Sequence, residues 1–370
     1  MKGASKALAW ILAGLCVALP DHHEAAGIGH DLEMAWMSSG VRLVGSLRIP
    51  EGTGPFPALI LVSGTEPDTR DCPTHGLPLF RRLAEALARR GIASLRYDDR
   101  GTGASDGSGA WDYGLGVLTE DIRSALDLLQ AQSKIDPTRL GLVGHSLGAA
   151  ITAELATKDQ RVGFIALLAP YGVSGRDLLL DYRGRTCRLA GLSPERCRTF
   201  LALDRRLISG EAVQRRDYPR SPLADYDTFL LRFARSALFK DFVRRDPRVA
   251  FERLDLPLWV AWGANDQTTP PGRQLPLVVG ALLRAGGNNT DLEVRIFPGA
   301  DHGFTLRDED GRIRLAPGLS AGLADWVGRM TDPEHSSSNP AMNPANKEPL
   351  LHPLRGRADS ESQPPPDHPR

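Results

Sequence analysis

The sequence predicts an α/β domain in which helices cover both faces of a mostly parallel sheet. Two observations support this fold class. Short apolar runs of strand length alternate with amphipathic segments of helix length over residues 41–168, and again over 256–330. Between these stretches, residues 172–250 are rich in arginine and have a helical pattern without a convincing strand. We therefore expect one sheet domain, residues 31–331, with a helical cap inserted at 172–250.

The predicted elements follow from local patterns in chain order. Residues 32–36 and 41–49 alternate around Ser39 and Gly40, which predicts a hairpin. Residues 58–62 form a continuous apolar run, as expected for a strand that is buried on both faces. Further strands are predicted at 92–97, 140–143, 162–168, 256–262 and 292–297, and helices at 79–90, 118–130, 147–157, 275–285 and 318–330. The cap then follows the sixth strand, where insertions often lie as lids over the strand ends that bind ligands.

The two ends of the chain differ from this domain. Lys2 and Lys6 precede an apolar run at 7–19, which is typical of a signal peptide over residues 1–26. The run is shorter than the roughly 20 residues that a membrane-spanning helix needs. We therefore expect export to the periplasm or beyond, and the alternative is an uncleaved leader that tethers the protein to the inner membrane. Residues 332–370 are rich in proline and serine and predict a disordered tail.

The amino-acid composition of the chain limits which partners and cofactors we expect. The chain of 370 residues has 45 Lys and Arg against 45 Asp and Glu, so no global field favours nucleic acid or an anionic membrane. The sequence has no zinc-type Cys pair, Walker loop or dinucleotide-binding glycine fingerprint, and we expect neither a metal nor an organic cofactor. Export would permit a disulfide between Cys187 and Cys197. The alternative is that these two residues and Cys72 are unpaired apolar side chains.

The motif with the clearest chemistry is GHSLG at 144–148, which matches the G-x-S-x-G nucleophile elbow. An apolar strand leads into it and an Ala-rich helix leaves it, which is the context that the motif requires. The sharp turn would project the hydroxyl of Ser146 at the edge of the sheet, and the flanking glycines would leave room for it. The Leu147 N–H would lie at a helix N-terminus, where negative charge is favoured. The alternative is a structural Gly-Ser turn.

Serine is a weak nucleophile at neutral pH, so a base must accept its proton. Among the nine histidines, His302 alone follows the last predicted strand and precedes the last helix. This position satisfies the chain order of nucleophile, acid and base. His145 lies inside the elbow, where we expect its side chain to point away from Ser146, and His75 lies in a loop that could line the pocket. The other histidines lie near the leader or in the tail: His22, His23, His30, His335, His352 and His368.

The acid is expected directly after the strand that follows the cap. Asp266 has this position, because it leaves the strand predicted at 256–262. Its role would be to hold one tautomer of His302 and to stabilise the imidazolium that forms during acylation. Asp301 is the alternative, but the side chain of a sequence neighbour rarely bonds back to the adjacent imidazole.

An oxyanion hole needs a second backbone donor from the loop after the third strand. We predict the Thr65 N–H, in the sequence SGTEP at 63–67, as the partner of the Leu147 N–H. The charged, glycine-rich segment 96–105 either lines the pocket or, as is more common, is held by its own Asp–Arg hydrogen bonds. The arginines of the cap either form solvated helix faces or surround a mouth that attracts anionic substrates.

Three stretches together resemble bacterial carboxylesterases of the α/β-hydrolase superfamily, in its dienelactone-hydrolase or prolyl-oligopeptidase-like branch. They are GSLRIP at 45–50 followed by GPFPA at 54–58, LRYDDRG at 95–101, and GLVGHS at 141–146. The resemblance implies the α/β-hydrolase fold and carries the nucleophile, acid and base over to Ser146, Asp266 and His302. It covers roughly 41–172 and 254–326 and leaves the cap unmatched. The oxyanion loop departs from the family, because Ser63 stands where such enzymes usually have histidine.

These observations predict a serine hydrolase that cleaves small-molecule carboxylic esters through an acyl-enzyme. A peptidase or an acyltransferase with the same triad is the alternative among enzymes, whereas a dehalogenase or an epoxide hydrolase would have an aspartate at position 146. The alternative outside enzymes is a binding protein of the same fold, which would not need all three triad residues. We expect no nucleic-acid partner, and no stable membrane insertion unless the leader is retained. Acyl and alcohol specificity and oligomeric state do not follow from the sequence.

Overall fold

The computed structural model of the chain describes residues 29–284 and 291–332. The predicted signal peptide, 1–26, and the predicted tail beyond residue 332 lie outside the described residues. The strands of the described part are β1 (His30–Ser38), β2 (Val41–Ile49), β3 (Phe56–Val62), β4 (Pro73–Thr74), β5 (Leu77–Pro78), β6 (Ala93–Tyr97), β7 (Ile135–His145), β8 (Val162–Leu168), β9 (Leu258–Gly263), β10 (Leu292–Phe297), β11 (Thr305–Arg307) and β12 (Ile313–Leu315).

The helices alternate with these strands, except in one region. They are α1 (Leu79–Ala88), α2 (Leu115–Gln130), α3 (Leu147–Ala156), α4 (Gly175–Leu189), α5 (Pro194–Ile208), α6 (Ala224–Phe233), α7 (Ala237–Phe242), α8 (Arg248–Phe251), α9 (Pro271–Arg284) and α10 (Leu319–Met330), with 3-10 turns at Ala110–Asp112 and Arg215–Asp217. Within the described ranges, none of these helices is long and apolar enough to cross a bilayer.

One eight-stranded sheet organises the fold, in the order β1-β2-β6-β3-β7-β8-β9-β10. The pairs β1–β2 and β2–β6 are antiparallel, and the other neighbouring pairs are parallel. Every residue of β3, β6 and β9 is buried, because helices cover both faces at the centre of the sheet. The predicted α/β class, with a mostly parallel sheet, is therefore confirmed.

The hairpin at the start of the sheet forms where the sequence predicts it. Strand β1 pairs with β2 from His30 opposite Ile49 to Ser38 opposite Val41. Ser39 and Gly40 connect the two strands with φ angles of 44° and 77°. Positive φ at both central residues matches the right-handed twist of the strands, which is why such two-residue turns favour glycine. The first four residues of β1 are exposed, as expected for a strand at the edge of the sheet.

The cap, residues 172–250, contains α4 to α7 and most of α8, which ends one residue beyond it. It leaves the sheet after β8 and returns to β9, which are neighbouring strands. Backbone hydrogen bonds join the two ends of the cap. The Gly175 N–H donates to the Arg245 carbonyl over 3.1 Å, and the Arg176 N–H donates to the Val243 carbonyl over 3.2 Å. A Cβ at Gly175 would lie 2.2 Å from the Phe242 carbonyl oxygen, so only glycine allows this close approach.

Some elements differ from their predicted bounds. Strand β7 begins at Ile135 instead of residue 140, and helix α9 begins at Pro271 instead of residue 275. The hairpins β4–β5 and β11–β12 were not predicted, because strands of two or three residues are too short to produce a recognisable period.

The three cysteines of the described residues, Cys72, Cys187 and Cys197, are buried free thiols. Cys187 and Cys197, from α4 and α5, are hydrogen-bonded to each other, and burial raises the pKa of Cys187 to about 12. Of the two alternatives that the sequence left open, the structure therefore has the unpaired one.

Candidate active site

The candidate site lies at the carboxyl ends of four parallel strands. Ser63 to Thr65 follow β3, Ser146 follows β7, Asp266 follows β9 and His302 follows β10. Parallel strands bring their carboxyl ends to one edge of a sheet, where ligands bind in open α/β folds. Residues that are far apart in the sequence therefore meet here.

Ser146 occupies a strained turn between β7 and α3. Its φ of 56° and ψ of −116° are rarely adopted by a residue with a side chain. The two glycines of the motif allow this turn by close approach. A Cβ at Gly144 would lie 2.3 Å from the Gly148 carbonyl oxygen, and a Cβ at Gly148 would lie 2.2 Å from the Ser63 carbonyl oxygen. Strand, helix and the loop after β3 therefore pack together only because these positions lack side chains.

The three predicted side chains form a hydrogen-bonded chain. His302 Nε2 lies 3.1 Å from Ser146 Oγ, and His302 Nδ1 lies 2.8 Å from Asp266 Oδ2. The Thr269 hydroxyl also lies near Nδ1, at 3.4 Å, but the shorter contact is with the carboxylate. With the proton on Nδ1, Nε2 is left as the acceptor of the serine proton when the imidazole is neutral. The arrangement has the distances that a nucleophile, its base and an orienting acid require.

The Asp266 carboxylate is buried and held from several sides. The backbone N–H groups of Thr268 and Thr269 donate to Oδ1 over 2.7 and 2.8 Å, and the Thr269 hydroxyl donates to Oδ2 over 2.7 Å. Burial alone would raise the pKa of Asp266, but the charge and hydrogen bond of His302 and the donors of Thr269 together lower it. The carboxylate is therefore ionised at neutral pH and fixed in one orientation.

Two opposing effects act on the pKa of His302, the predicted base. Burial alone would lower the pKa of His302, but the charge and hydrogen bond of Asp266 outweigh this effect, and the pKa is raised above its ordinary value. An imidazole with a raised pKa accepts a proton more readily during the attack of the serine.

Asp301, the alternative acid, bonds to groups other than the imidazole of His302. Its carboxylate accepts from the Gly303 and Thr305 N–H groups and from the Thr305 hydroxyl, over 2.7 to 3.0 Å. It also lies 2.9 Å from Nε2 of His75. This explains the position of His75, which bonds to Asp301 beside the site. Between the two candidate acids, the contacts therefore single out Asp266.

His145 makes a contact that the sequence did not indicate. Its Nε2 lies 2.9 Å from the backbone carbonyl oxygen of His302, and the two imidazole rings are 4.9 Å apart. Because a carbonyl only accepts, Nε2 of His145 carries the proton and donates. Burial, with the nearby His302, lowers the pKa of His145 to about 4, so this histidine is neutral at physiological pH. His145 therefore fixes the backbone of His302, the predicted base.

The predicted oxyanion donors flank the serine. Leu147 is the first residue of α3, directly after Ser146. Across from it, a Cβ at Gly64 would lie 3.4 Å from Ser146 Cβ, which places Gly64, the residue before Thr65, beside Ser146. Ser63, which replaces the usual histidine, donates its hydroxyl to both oxygens of Asp99, over 2.7 and 2.9 Å. Asp99 also accepts from the Asp68 N–H, so it fixes the loop that carries Thr65.

The segment 96–105 has a structural role, but its Asp–Arg pairs are made with residues outside the segment, and part of it also supports the site. Asp98 pairs with Arg70, and Arg100 pairs with the buried carboxylate of Asp121. Asp99 is the exception, because it holds Ser63 of the oxyanion loop. No group of three or more His, Cys, Asp or Glu side chains with metal-binding geometry occurs in the ranges 29–284 and 291–332.

Comparison with known proteins identifies related sequences. The family profile described as serine aminopeptidase, S33, matches residues 77–310. Esterase EstD of Thermotoga maritima is 29% identical over 262 residues, which are 70% of this chain and 57% of that protein. A polyketide transferase of Stachybotrys chlorohalonatus is 33% identical over 123 residues, which are 31% of this chain and 41% of that protein. The chain thus spans about half the length of these curated relatives.

Solved structures share the fold at low sequence identity. An esterase of Pyrococcus furiosus superposes with a TM-score of 0.52 at 14% identity, over 81% of this chain and 89% of that one. The 2,6-dihydroxy-pseudo-oxynicotine hydrolase superposes with a TM-score of 0.50 at 17% identity, over 81% of this chain and 68% of that one. At such identities the likeness concerns the fold alone, and it confirms the fold that the sequence predicts.

Proposed function

The chain belongs to the serine aminopeptidase, S33, family, and we propose that within this hydrolase family it is a serine-dependent carboxylic ester hydrolase. One observation carries the proposal. His302 lies between Ser146 and Asp266 with both ring nitrogens at hydrogen-bond distance, 3.1 Å from the hydroxyl and 2.8 Å from the carboxylate. The similarity to esterase EstD supports ester substrates.

The proposed reaction has two halves. Ser146 Oγ attacks the ester carbonyl while His302 Nε2 takes its proton, and Asp266 stabilises the resulting imidazolium. The amides of Thr65 and Leu147 stabilise the negative oxygen of the tetrahedral intermediate. His302 then gives its proton to the leaving alcohol as the C–O bond breaks, which leaves an acyl-serine. A water molecule, deprotonated by His302, attacks the acyl-serine and releases the carboxylic acid and the free serine.

A peptidase or an acyltransferase with the same three residues is the second candidate. The family description names aminopeptidases, and one of the relatives is a polyketide transferase. The three activities share the acyl-enzyme and differ in the leaving group or in the acceptor. We place ester hydrolysis first because the esterase relative matches the largest part of this chain, 70%, among the relatives described above.

The test is hydrolysis of p-nitrophenyl esters of increasing acyl length by the full chain. Ser146→Ala should abolish turnover and labelling by a fluorophosphonate probe. Ser209→Ala, an exposed serine at the end of α5, is the matched control and should retain both. Turnover that survives in Ser146→Ala would disprove the proposed nucleophile. A folded wild type that neither turns over esters, thioesters or peptides nor reacts with the probe would favour the binding-protein alternative.

A further inference from the structure

Trp111 contacts both the oxyanion loop, residues 63–67, and the cap. It lies in the 3-10 turn Ala110–Asp112, between β6 and α2. Its indole Nε1–H donates to the Thr65 carbonyl oxygen over 2.7 Å. Thr65 is the residue whose N–H is proposed to bind the oxyanion. The indole therefore holds the same residue from its carbonyl side.

The ring of Trp111 packs against the cap. Phe229 meets it edge-on with ring centroids 5.6 Å apart, and the Phe233 centroid lies 5.1 Å away. The guanidinium of Arg232 lies 5.3 Å from the centroid of the indole. All three residues belong to α6. The indole ring of Trp111 thus packs against the cap, while its N–H is hydrogen-bonded to the oxyanion loop.

The turn that carries Trp111 is itself tied to the cap. Asp241 of α7 accepts from the Leu115 N–H at the start of α2 over 2.9 Å. A Cβ at Gly114 would lie 2.6 Å from the same carboxylate oxygen, so glycine is needed for this approach. The position of the turn therefore depends on the position of the cap.

We propose that Trp111 is a positioning residue that orients the Thr65 amide for the oxyanion and makes this orientation depend on the cap. The proposal rests on the proposed ester hydrolysis. An oxyanion donor is effective only when it is already aimed at the place where the charge develops. Asp99 fixes the start of the loop through Ser63, and Trp111 fixes its end through the Thr65 carbonyl. With both contacts in place, the peptide between them has little freedom to rotate.

Trp111→Phe tests this role because it keeps an aromatic ring against α6 and removes the N–H donor together with the pyrrole part of the indole. We expect kcat to fall by about tenfold to a hundredfold, with KM changed by less than about twofold, since misaiming one donor weakens mainly the transition state. Inhibition by a trifluoromethyl ketone should show the same loss of oxyanion stabilisation. Ser146 adds to its carbonyl and His302 takes the serine proton, so the adduct presents an oxyanion to the hole. Its inhibition constant should rise in proportion to the fall in kcat.

Trp36→Phe is the matched control. The indole of Trp36 donates to Ser124 Oγ over 2.9 Å and not to the oxyanion loop, so this variant also loses one indole hydrogen bond. It should lower the midpoint of thermal unfolding by a similar amount while leaving kcat and the ketone inhibition constant at wild-type values. Phe229→Leu keeps the indole N–H but loosens its packing, and we expect it to lower kcat by less than Trp111→Phe does.

The outcomes separate this inference from the proposed function. An active wild type together with an unchanged kcat and an unchanged ketone inhibition constant in Trp111→Phe would overturn the role of Trp111 alone. Equal losses in Trp111→Phe and Trp36→Phe would also overturn it, because they would indicate a general effect on stability. A wild type that is folded, inert toward esters and unable to bind the ketone would overturn the proposed function and this inference together.

Discussion

At the scale of single residues, the candidate base is governed by its charged neighbour. A base acts in its neutral form, so turnover should increase as pH rises through the pKa of His302, which is raised above its ordinary value. Asp266→Asn removes the charge that raises this pKa. We expect the acidic limb of the kcat/KM profile to move to lower pH, and the maximal rate to fall by about three to four orders of magnitude. A pH profile of both proteins measures these two effects.

Asp301→Asn is the control for this prediction. It removes a carboxylate from the same loop, but one that bonds to His75 and Thr305 instead of the imidazole of His302. We expect a much smaller shift of the acidic limb and a rate within about tenfold of the wild type, since its effect on His302 is electrostatic and indirect. A larger loss in Asp301→Asn than in Asp266→Asn would reverse the assignment of the acid.

His145 gives a second prediction at this scale. His145→Leu removes the donor that holds the His302 carbonyl, and a lost hydrogen bond of this kind costs about 1 to 3 kcal/mol. We expect kcat to fall by about tenfold, while the shape of the pH profile is unchanged because His145 is neutral over the working range. His145→Gln can still donate and should recover part of the loss. Equal rates in the two variants would contradict the role of this hydrogen bond.

The sequence was sufficient to locate the three candidate catalytic residues and insufficient to find those that support them. Ser146, Asp266 and His302 each follow a predicted strand, so their chain order and strand ends limit the choice. His145 contacts a residue 157 positions away, and Trp111 contacts one 46 positions away. No local pattern marks such a contact, because it exists only once the strands are arranged in the sheet.

At the scale of elements, one arginine of the cap departs from the expectation of solvated helix faces. Arg183 of α4 is fully buried. It donates to Asp204 of α5 over 2.6 and 3.1 Å and to Asp227 of α6 over 2.7 Å. Its guanidinium also lies 4.4 Å from the ring centroid of Tyr226. The sequence could not separate this arginine from its exposed neighbours, since its two carboxylate partners are 21 and 44 residues away.

Arg183→Leu should destabilise the cap strongly. The substitution leaves the buried carboxylate of Asp204 without its cation and that of Asp227 with only Arg215, 3.7 Å away, and such a loss costs about 3 to 5 kcal/mol. Urea unfolding and limited proteolysis would measure it, and cleavage is expected first within residues 172–250. Arg188→Leu, an exposed position on the same helix, is the control and should change the free energy of unfolding by less than about 0.5 kcal/mol. Similar stability in the two variants would show that the buried ion cluster contributes little.

The bounds of the elements show where local pattern is informative. Strand β10 has the predicted bounds, 292–297, because its apolar positions follow the turn signals around it. Helix α9 begins four residues before its predicted start and contains Pro276 in its interior, although proline has no N–H to donate to the preceding turn. Helix α9 packs against α8, a tertiary contact that the local sequence pattern does not show.

At the scale of the whole molecule, charge is divided unevenly. Residues 172–250 contain 17 Lys and Arg against 10 Asp and Glu, so the cap carries a net charge of +7 in a chain that is neutral overall. A field of this kind attracts anions to the surface that produces it and is screened by salt. The Debye length falls from about 30 Å at 0.01 M to about 3 Å at 1 M salt.

This division predicts a salt effect that depends on the substrate. The kcat/KM for p-nitrophenyl hemisuccinate should fall as NaCl is raised, while that for p-nitrophenyl butyrate, which has the same acyl length without the charge, should stay nearly constant. Measuring both esters over one salt series separates screening from general effects of salt on the protein. Parallel curves for the two esters would favour the alternative in which the arginines form solvated helix faces.

The backbone hydrogen bonds that join the two ends of the cap have a consequence for how this fold diversifies. These bonds join Gly175 to Arg245 and Arg176 to Val243, between the neighbouring strands β8 and β9 in the chain. We call this pair of bonded segments the neck of the cap. Whatever lies beyond the neck can change in length and sequence without altering the spacing of those strands. Recombination between relatives at this point would exchange one cap for another and keep the candidate active site of the recipient, apart from the cap contacts at Trp111 and Leu115. The neck is therefore a natural crossover point for grafting new specificities onto this scaffold.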